Sequence, residues 1–220
     1  MPSSTLQEYL EAIYKIALNG EVRPTQIAEA ISVSGPTVTA TLRRLETAGL
    51  ITRPHGGVAL TDQGRREAIE VIRRHRIAER FLVDALQLPW ESVHEEACLL
   101  EHAMSPHVVA AMERFLNNPT VCPHGYPIPS VDGAVREPAG VPLGTLTEGT
   151  EGTVVRVSEE DEAVLAYFGS LHLVPGSTVC IKEVAPFAGP LLVTISGAEH
   201  AVSREVAALV FVEASAPVDR

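Results

Sequence analysis

A change in hydrophobic periodicity near residue 143 is the feature that most constrains the fold of this 220-residue chain. Before it, apolar residues recur at helical spacing, as Leu6, Leu10 and Ile13 do in the first segment. After it, short β-branched runs alternate with turns, in GTVVRVS, STVCIKEV, LLVTISG and ALVFVEA. We therefore predict a mainly α-helical protein with a small all-β domain at its C-terminal end, built as a barrel of four or five strands.

The first third of the chain has the pattern of a winged helix-turn-helix. A tight turn at Ser34-Gly35-Pro36 separates two helical segments, because proline suits the first position of a helix. The second helix is expected to end at Gly49. Two short β-prone arms then flank residues 54–57, Pro-His-Gly-Gly, which is typical of a hairpin.

The net charge of −11 is distributed unevenly along the chain. Residues 1–80 contain 11 Lys and Arg against 9 Asp and Glu, whereas residues 81–220 contain 6 against 19. A polyanion such as double-stranded DNA would therefore be bound by the first third. The candidate DNA-contacting residues lie at the start of the second helix and among the arginines that follow: Ser34, Pro36, Thr37, Thr39, Thr41, Arg43, Arg44 and Arg53. A winged helix that binds protein instead is the alternative.

The stretch HEEACLLEH, residues 94–102, carries an unusual set of donor side chains. At roughly 100° per residue, His94, Cys98, Glu101 and His102 share about 100° of arc on one helix face. His75 and Glu79 are one helical turn apart on the preceding helix. Nitrogen, oxygen and sulfur donors in such a mixture suit a first-row transition metal better than calcium or magnesium.

The donor side chains by themselves also allow interpretations other than a metal site. The histidines can be structural, in a winged-helix regulator that binds a small organic effector. A metal-dependent hydrolase is a second alternative, but the sequence contains neither HExxH nor a nucleophile motif, and we expect no enzymatic activity.

Composition also bears on the cellular compartment. No run of 18 apolar residues is present, and the N-terminal segment lacks the charged and apolar regions of a secretory signal. The three cysteines form an odd, widely spaced set. We expect a cytoplasmic protein that does not bind a membrane.

Four parts are expected along the chain. They are a DNA-binding winged helix-turn-helix over residues 1–70, a helical metal-binding and dimerisation domain over 71–118, a proline-rich linker over 119–143 and a β domain over 144–215. Apolar residues of the helical domain would form the dimer surface, drawn from Phe81, Leu82, Leu86, Leu88, Trp90, Val108, Val109, Met112 and Phe115.

Three segments resemble the iron- and manganese-dependent repressors related to the diphtheria toxin repressor. They are SGPTVTATLRRLETAGL, RRHRIAERFLVDALQLPWESVHEEACLLEHAMS and NNPTVCPHGYPIP. The resemblance covers residues 4–130 strongly, and the C-terminal part is loosely similar to that family's SH3-like domain. It implies a homodimer that binds a palindromic operator when two metal ions per chain are in place.

The resemblance also implies the ligands of each ion. One site would use His75, Glu79 and His94. The other would use Cys98, Glu101, His102 and Glu8, a position that is methionine in the iron-sensing branch and acidic in the manganese-sensing branch.

Glu11, one turn after Glu8, also matches the manganese branch, so we expect Mn(II), with Fe(II) as the alternative. In some relatives the SH3-like domain adds ligands, near Glu160, Asp161 and Val164 here, although valine cannot coordinate a metal. Ala40 replaces a DNA-contacting glutamine of the iron branch.

Overall fold

The structure is a computed structural model that describes residues 2–136, 138–158 and 161–214. It divides into two compact units. The first contains Met1–His75, Cys98–Val109 and Pro129–Val135, and the second contains Arg76–Ala97, Ala110–Ile128 and Arg136–Arg220. Boundaries between the units fall within helices α4 (Asp62–Asp84), α5 (Val93–Glu101) and α6 (Pro106–Phe115).

The first unit contains the winged helix-turn-helix, which confirms the fold predicted for this region. Helices α1 (Ser4–Ala17), α2 (Pro24–Ala30) and α3 (Gly35–Thr47) precede strands β1 (Ile51–Thr52) and β2 (Ala59–Leu60). The two strands pair antiparallel, and a 3-10 turn over Pro54–Gly56 lies between them as the wing. The core is formed by fully buried aliphatic side chains, among them Leu10, Ile13, Ile27, Leu42 and Leu45.

The start of α4 is fixed to the end of α3. The Thr61 hydroxyl donates to the Gly49 carbonyl at 2.8 Å and accepts from the Gly64 amide at 3.1 Å, so Thr61 joins the two segments. A Cβ at Gly64 would overlap the Leu50 carbonyl, so α4 can approach this closely only because residue 64 is glycine.

The helical region after the wing consists of α4, α5 and α6 (Pro106–Phe115). Across the residues that the structure describes, no helix is both long enough and apolar enough to cross a membrane.

The β domain lies in the second unit and is a six-stranded antiparallel sheet with the order β3-β8-β4-β5-β6-β7. Its strands are β3 (Val141–Pro142), β4 (Glu151–Val157), β5 (Thr178–Val184), β6 (Leu191–Ile195), β7 (Ala198–Val202) and β8 (Val210–Ala214). Two helices that the strand pattern did not predict, α7 (Glu162–Ser170) and α8 (Arg204–Leu209), are capped by Asp161 and Ser203. The sheet confirms the predicted small β domain, but it has six strands where four or five were expected, because the short β3 and β7 lie outside the four β-branched runs.

The proline-rich segment predicted as a linker has local structure. Val121 and Pro127 form an isolated antiparallel bridge, and the Ser130 amide donates to the Ala134 carbonyl at 3.0 Å. The segment therefore folds back on itself twice before it reaches β3.

Candidate metal centre

The donor side chains predicted from the sequence are held on three helices. His75 and Glu79 lie on α4, one turn apart, and α5 carries His94, Cys98 and Glu101. His102 directly follows the last residue of α5. Glu8 and Glu11 lie on α1, which belongs to the winged helix-turn-helix.

In the first unit, a buried carboxylate lies between two imidazoles. Glu101 Oε2 is 2.7 Å from His75 Nδ1, and Glu101 Oε1 is 3.1 Å from His102 Nε2. Cys98 Sγ is 3.9 Å from His75 Nδ1. We call these four residues, together with Glu8, whose carboxylate faces His102, the first cluster.

Burial raises the pKa of Glu101 above its ordinary value. The hydrogen bond with His75 opposes this shift, while the negative charge of Glu11 adds to it. The carboxylate form of Glu101 is therefore costly here without a compensating cation.

Helix α1 contacts His102 through two neighbouring residues. Gln7 Oε1 lies 2.7 Å from His102 Nδ1, so the Nδ1–H can donate to the Gln7 carbonyl oxygen. Glu8 Oε1 lies 3.8 Å from His102 Nε2. Gln7 is buried, whereas the Glu8 side chain is 55% exposed. Glu11 forms an ion pair with Lys15 at 3.3 Å on the same helix.

In the second unit, Glu79 is surrounded by donors that include two missed by the sequence prediction. Glu79, Cys122 and His124 each offer a ligand atom within 4.8 Å of the other two, and all three are buried. Glu79 Oε1 is 3.2 Å from His124 Nδ1 and 3.7 Å from His94 Nδ1. We call Glu79, His94, Cys122 and His124 the second cluster.

The second cluster is prepared for a cation by its surroundings. His124 Nε2 lies 3.0 Å from the Trp90 carbonyl oxygen, so its N–H can donate there and leave Nδ1 facing Glu79. Burial, with the negative charge of Glu79, raises the pKa of the Cys122 thiol far above its usual range. A divalent cation would favour the thiolate and offset both effects.

Each of the two predicted ligands on α4 lies beside predicted ligands on α5. His75 lies beside Cys98 and Glu101, and Glu79 lies beside His94. Cys122 and His124 come from the segment predicted as linker. The only signal for them in the sequence is a cysteine and a histidine two residues apart around Pro123.

The possible ligands from the β domain have different surroundings. Asp161 lines a cleft of about 560 Å³ that His94 also lines, and its Oδ1 accepts the Val164 amide at 3.1 Å. Val164 cannot bind a metal through its side chain. Glu160 lies outside the described residues.

The predicted DNA-contacting residues lie mostly on the surface of the first unit. Ser34, Pro36, Thr37, Thr39, Ala40, Arg43 and Arg44 are exposed, and Arg53 is half-buried. Thr41 does not share this exposure: it is only 5% exposed, and its side chain is turned into the unit between core positions.

Comparisons with known proteins cover nearly the whole chain. Residues 1–58 match the family model for the N-terminal DNA-binding domain of iron-dependent repressors, and residues 61–130 match their metal-binding and dimerisation domain. Residues 141–214 match the FeoA domain.

Individual relatives agree with these matches. The chain is 39% identical over 212 residues to the iron-dependent repressor IdeR of Mycobacterium leprae, covering 89% of this chain and 90% of the relative. A solved manganese-dependent transcriptional repressor in complex with manganese superposes with a TM-score of 0.86 at 37% identity, covering 94% of this chain and 98% of that one. The structure of the manganese regulator SloR superposes with a TM-score of 0.78 at 31% identity, covering 98% of this chain and 100% of that one. The chain therefore belongs to the family of iron- and manganese-dependent transcriptional repressors.

Proposed function

We propose that Mn(II) is the co-repressor of this chain and that it acts at the first cluster. The observation that carries the proposal is the meeting of α1 with His102, because it brings a carboxylate of the DNA-binding unit to the donors that follow α5. Glu8 and Glu101 supply hard oxygen donors, which suit Mn(II). Relatives named for both metals are similar to this chain.

The residues of the first cluster fit a divalent cation. Contacts between neighbouring donors link two imidazoles, one thiol and two carboxylates, and burial, with the negative charge of Glu11, raises the pKa of Glu101. When bound, the ion supplies positive charge and joins these donors. Glu8 then holds α1 against His102, which fixes the position of the winged helix for DNA.

A second ion is proposed for the second cluster. Glu79 and His94 were expected as ligands, and Cys122 and His124 extend the set with a sulfur and a further nitrogen donor. These residues are buried and come from an α-helical and a loop segment of the same unit, which favours a stabilising role for this site.

We propose that the active form is a homodimer on a palindromic operator. In the second unit, Leu86 and Phe115 are 56% and 70% exposed, as expected for a surface that a second copy covers. Leu82 and Val109 belong to the core instead. Trp90 packs against the core of the β domain, so these three residues are removed from the proposed dimer surface. Sedimentation with and without Mn(II) tests the assembly.

Fe(II) is the competing ion, because Cys98 and Cys122 each place a sulfur donor in one cluster and thiolates favour softer metals. The deciding experiment is an anaerobic titration of the full chain with Mn(II) and Fe(II), with duplexes selected from a random-sequence pool as the DNA probe. Retention of these duplexes should require metal and disappear in chelator. Equal retention in chelator would overturn the proposal.

Exchange of Glu8 tests the choice of metal. Glu8→Met replaces a carboxylate by a thioether and should shift the ratio of Mn(II) to Fe(II) affinity about tenfold toward iron. Glu29→Met removes the same charge from an exposed position of α2 and serves as the control. An unchanged ratio in Glu8→Met would exclude Glu8 as the residue that sets selectivity.

A further inference from the structure

The loop that carries Cys122 and His124 is closed by its own backbone. The Cys122 amide donates to the Tyr126 carbonyl at 2.9 Å, and the Gly125 amide donates to the Cys122 carbonyl at 3.0 Å. Gly125 has a φ of +88°, which favours glycine. We call residues 122–126 the metal loop.

The metal loop lies against β4 of the β domain in the same unit. The Val157 amide donates to the His124 carbonyl at 3.0 Å. A Cβ at Gly125 would overlap the Val155 carbonyl, so the backbone of the loop touches the strand directly. The backbone positions of His124 and Gly125 are therefore set by the β domain.

Tyr126 anchors the end of the metal loop between charged groups. The guanidinium carbons of Arg76 and Arg156 lie 5.1 and 4.9 Å from its ring centre. Its hydroxyl donates to Ser158 Oγ at 3.0 Å and accepts from Arg156 Nη1 at 3.3 Å.

The hydrogen bonds of Arg156 do not by themselves explain why this residue is buried. It is only 8% exposed, and its Nε has no hydrogen-bond partner among the described residues. Its guanidinium lies 3.5 Å from the Phe211 ring centre and faces Tyr126 as well. Burying the charge of an arginine costs free energy, which the contacts with the two aromatic rings offset in part. One of these rings is that of Tyr126, the anchor of the metal loop.

The His124 side chain of the metal loop is also held by an aromatic residue that packs on the β domain. The ring centre of His124 lies 5.3 Å from that of Trp90 with the rings tilted by 42°, and Trp90 packs against the core of the β domain. The imidazole therefore has one nitrogen on the Trp90 carbonyl and its ring on the Trp90 indole, which leaves little freedom for Nδ1.

We propose that the β domain builds the second cluster by positioning it rather than by donating ligands to it. Arg156, Tyr126 and Gly125 are positioning residues for Cys122 and His124, an inference that rests on the second ion proposed above. A free proline-rich loop would lose backbone entropy when its two donors bind a metal, and the contacts with β4 remove that cost beforehand. Metal binding and the docking of the loop on β4 consequently stabilise each other.

The test uses the full chain with Co(II) as probe, because a thiolate bound to Co(II) gives a near-ultraviolet charge-transfer band. The background is Cys98→Ser, so that Cys122 is the one thiol expected to report. In this background Arg156→Met should lower the Co(II) affinity, measured by following that band, about tenfold to 100-fold. Loss of contacts around the ligands has an effect of this size at other metal sites. Arg156→Lys keeps a cation on the Tyr126 ring and should recover part of the loss.

The matched control is Arg204→Met, which removes an arginine of the same domain that donates to the Gly189 carbonyl at 3.0 Å. It should leave the Co(II) affinity unchanged. Tyr126→Phe, which keeps the ring and loses both hydrogen bonds of the hydroxyl, carries the test if Arg156→Met does not fold. An unchanged affinity in folded Arg156→Met, or in Tyr126→Phe when that variant carries the test, would overturn the proposal.

Failure of the second site itself has a different signature. If adding Cys122→Ser leaves the band as it was, the second ion is not bound where we place it. If that variant abolishes the band while Arg156→Met preserves the affinity, the site stands and the positioning role is wrong. Hydrogen exchange of the Val157 amide gives an independent readout, because Zn(II) should slow it in the wild type and leave it unchanged in Cys122→Ser.

Discussion

The first and second clusters contain similar donor types but are built in different ways. The first draws on α1, α4 and α5, segments that are far apart in sequence, and its Glu8 side chain is half exposed. The second has three fully buried donors and a loop fixed by β4. A cluster that includes an exposed ligand on the DNA-binding unit is suited to signalling, whereas a buried and preorganised one is suited to holding structure.

Charge sharpens this comparison. In the first cluster Glu101 and Glu8 face His102, with Glu11 close enough to raise the pKa of Glu101. The second has one carboxylate, Glu79, beside a protonated thiol. Loss of metal should therefore loosen α1 through carboxylate repulsion, with a smaller effect on the metal loop.

The largest effect is expected from Glu101→Ala. This change removes the carboxylate that lies between the imidazoles of His75 and His102. Loss of a carboxylate that would bind the ion directly should lower Mn(II) affinity by at least about 100-fold, since loss of outer contacts alone costs about tenfold to 100-fold. Metal titration with the DNA-retention assay measures it. Glu96→Gln, at an exposed position of the same helix, should behave as wild type.

A smaller effect on DNA binding is expected from Cys122→Ser. Since the second cluster lies in the other unit from α1, its loss should lower operator retention about tenfold while Mn(II) binding at the first cluster is kept. Cys98→Ser is the matched change in the first cluster. A larger loss in Cys122→Ser than in Cys98→Ser would reverse the roles that we assign to the two clusters.

The sequence predicted the first cluster better than the second for a physical reason. Helical spacing alone places His94, Cys98, Glu101 and His102 on one face, and α5 has that geometry. The sequence of the metal loop has no helical or strand periodicity. Its conformation depends on contacts with β4, more than 25 residues later in the chain. Nothing local in the sequence encodes such a contact.

The same reasoning explains the other differences. The winged helix was predictable because Pro36 and Gly49 mark the limits of α3 and its apolar stripe is regular. Helix α7 was missed because its sequence, EAVLAYFGS, is apolar nearly throughout and has no clear polar face. Thr41 was predicted to contact DNA because it lies near the start of α3 with Thr37 and Thr39, although the helical period turns it toward the core.

Gln7 offers a finer test of how α1 is coupled to the first cluster. Gln7→Leu removes the acceptor for the His102 Nδ1–H, and binding at this cluster should weaken by about tenfold or less. Nitrogen-15 NMR of His102 in the metal-free chain should show the Nδ1–H tautomer in the wild type and a mixture in Gln7→Leu. Thr5→Val, at an exposed position of α1, is the control. A wild-type His102 protonated at Nε2 alone would show that Gln7 does not orient it.

The smallest effect concerns the pH dependence of stability in the metal-free chain. Because burial raises the pKa of Glu101, the folded chain keeps this proton at a pH at which the unfolded chain, with a pKa near 4.5, has lost it. The contribution of Glu101 to the free energy of unfolding is therefore greatest below pH 4.5 and falls as pH rises through the folded pKa. Urea denaturation of the wild type and Glu101→Gln, compared from about pH 5 to pH 7, isolates this contribution. The wild type should lose stability relative to the variant as pH rises, and bound Mn(II) should remove the difference in slope. If the free energy of unfolding of the two metal-free proteins changes with pH in the same way, the negative charge of Glu101 is already offset without a cation. The difference in charge between the first cluster and the second would then be absent.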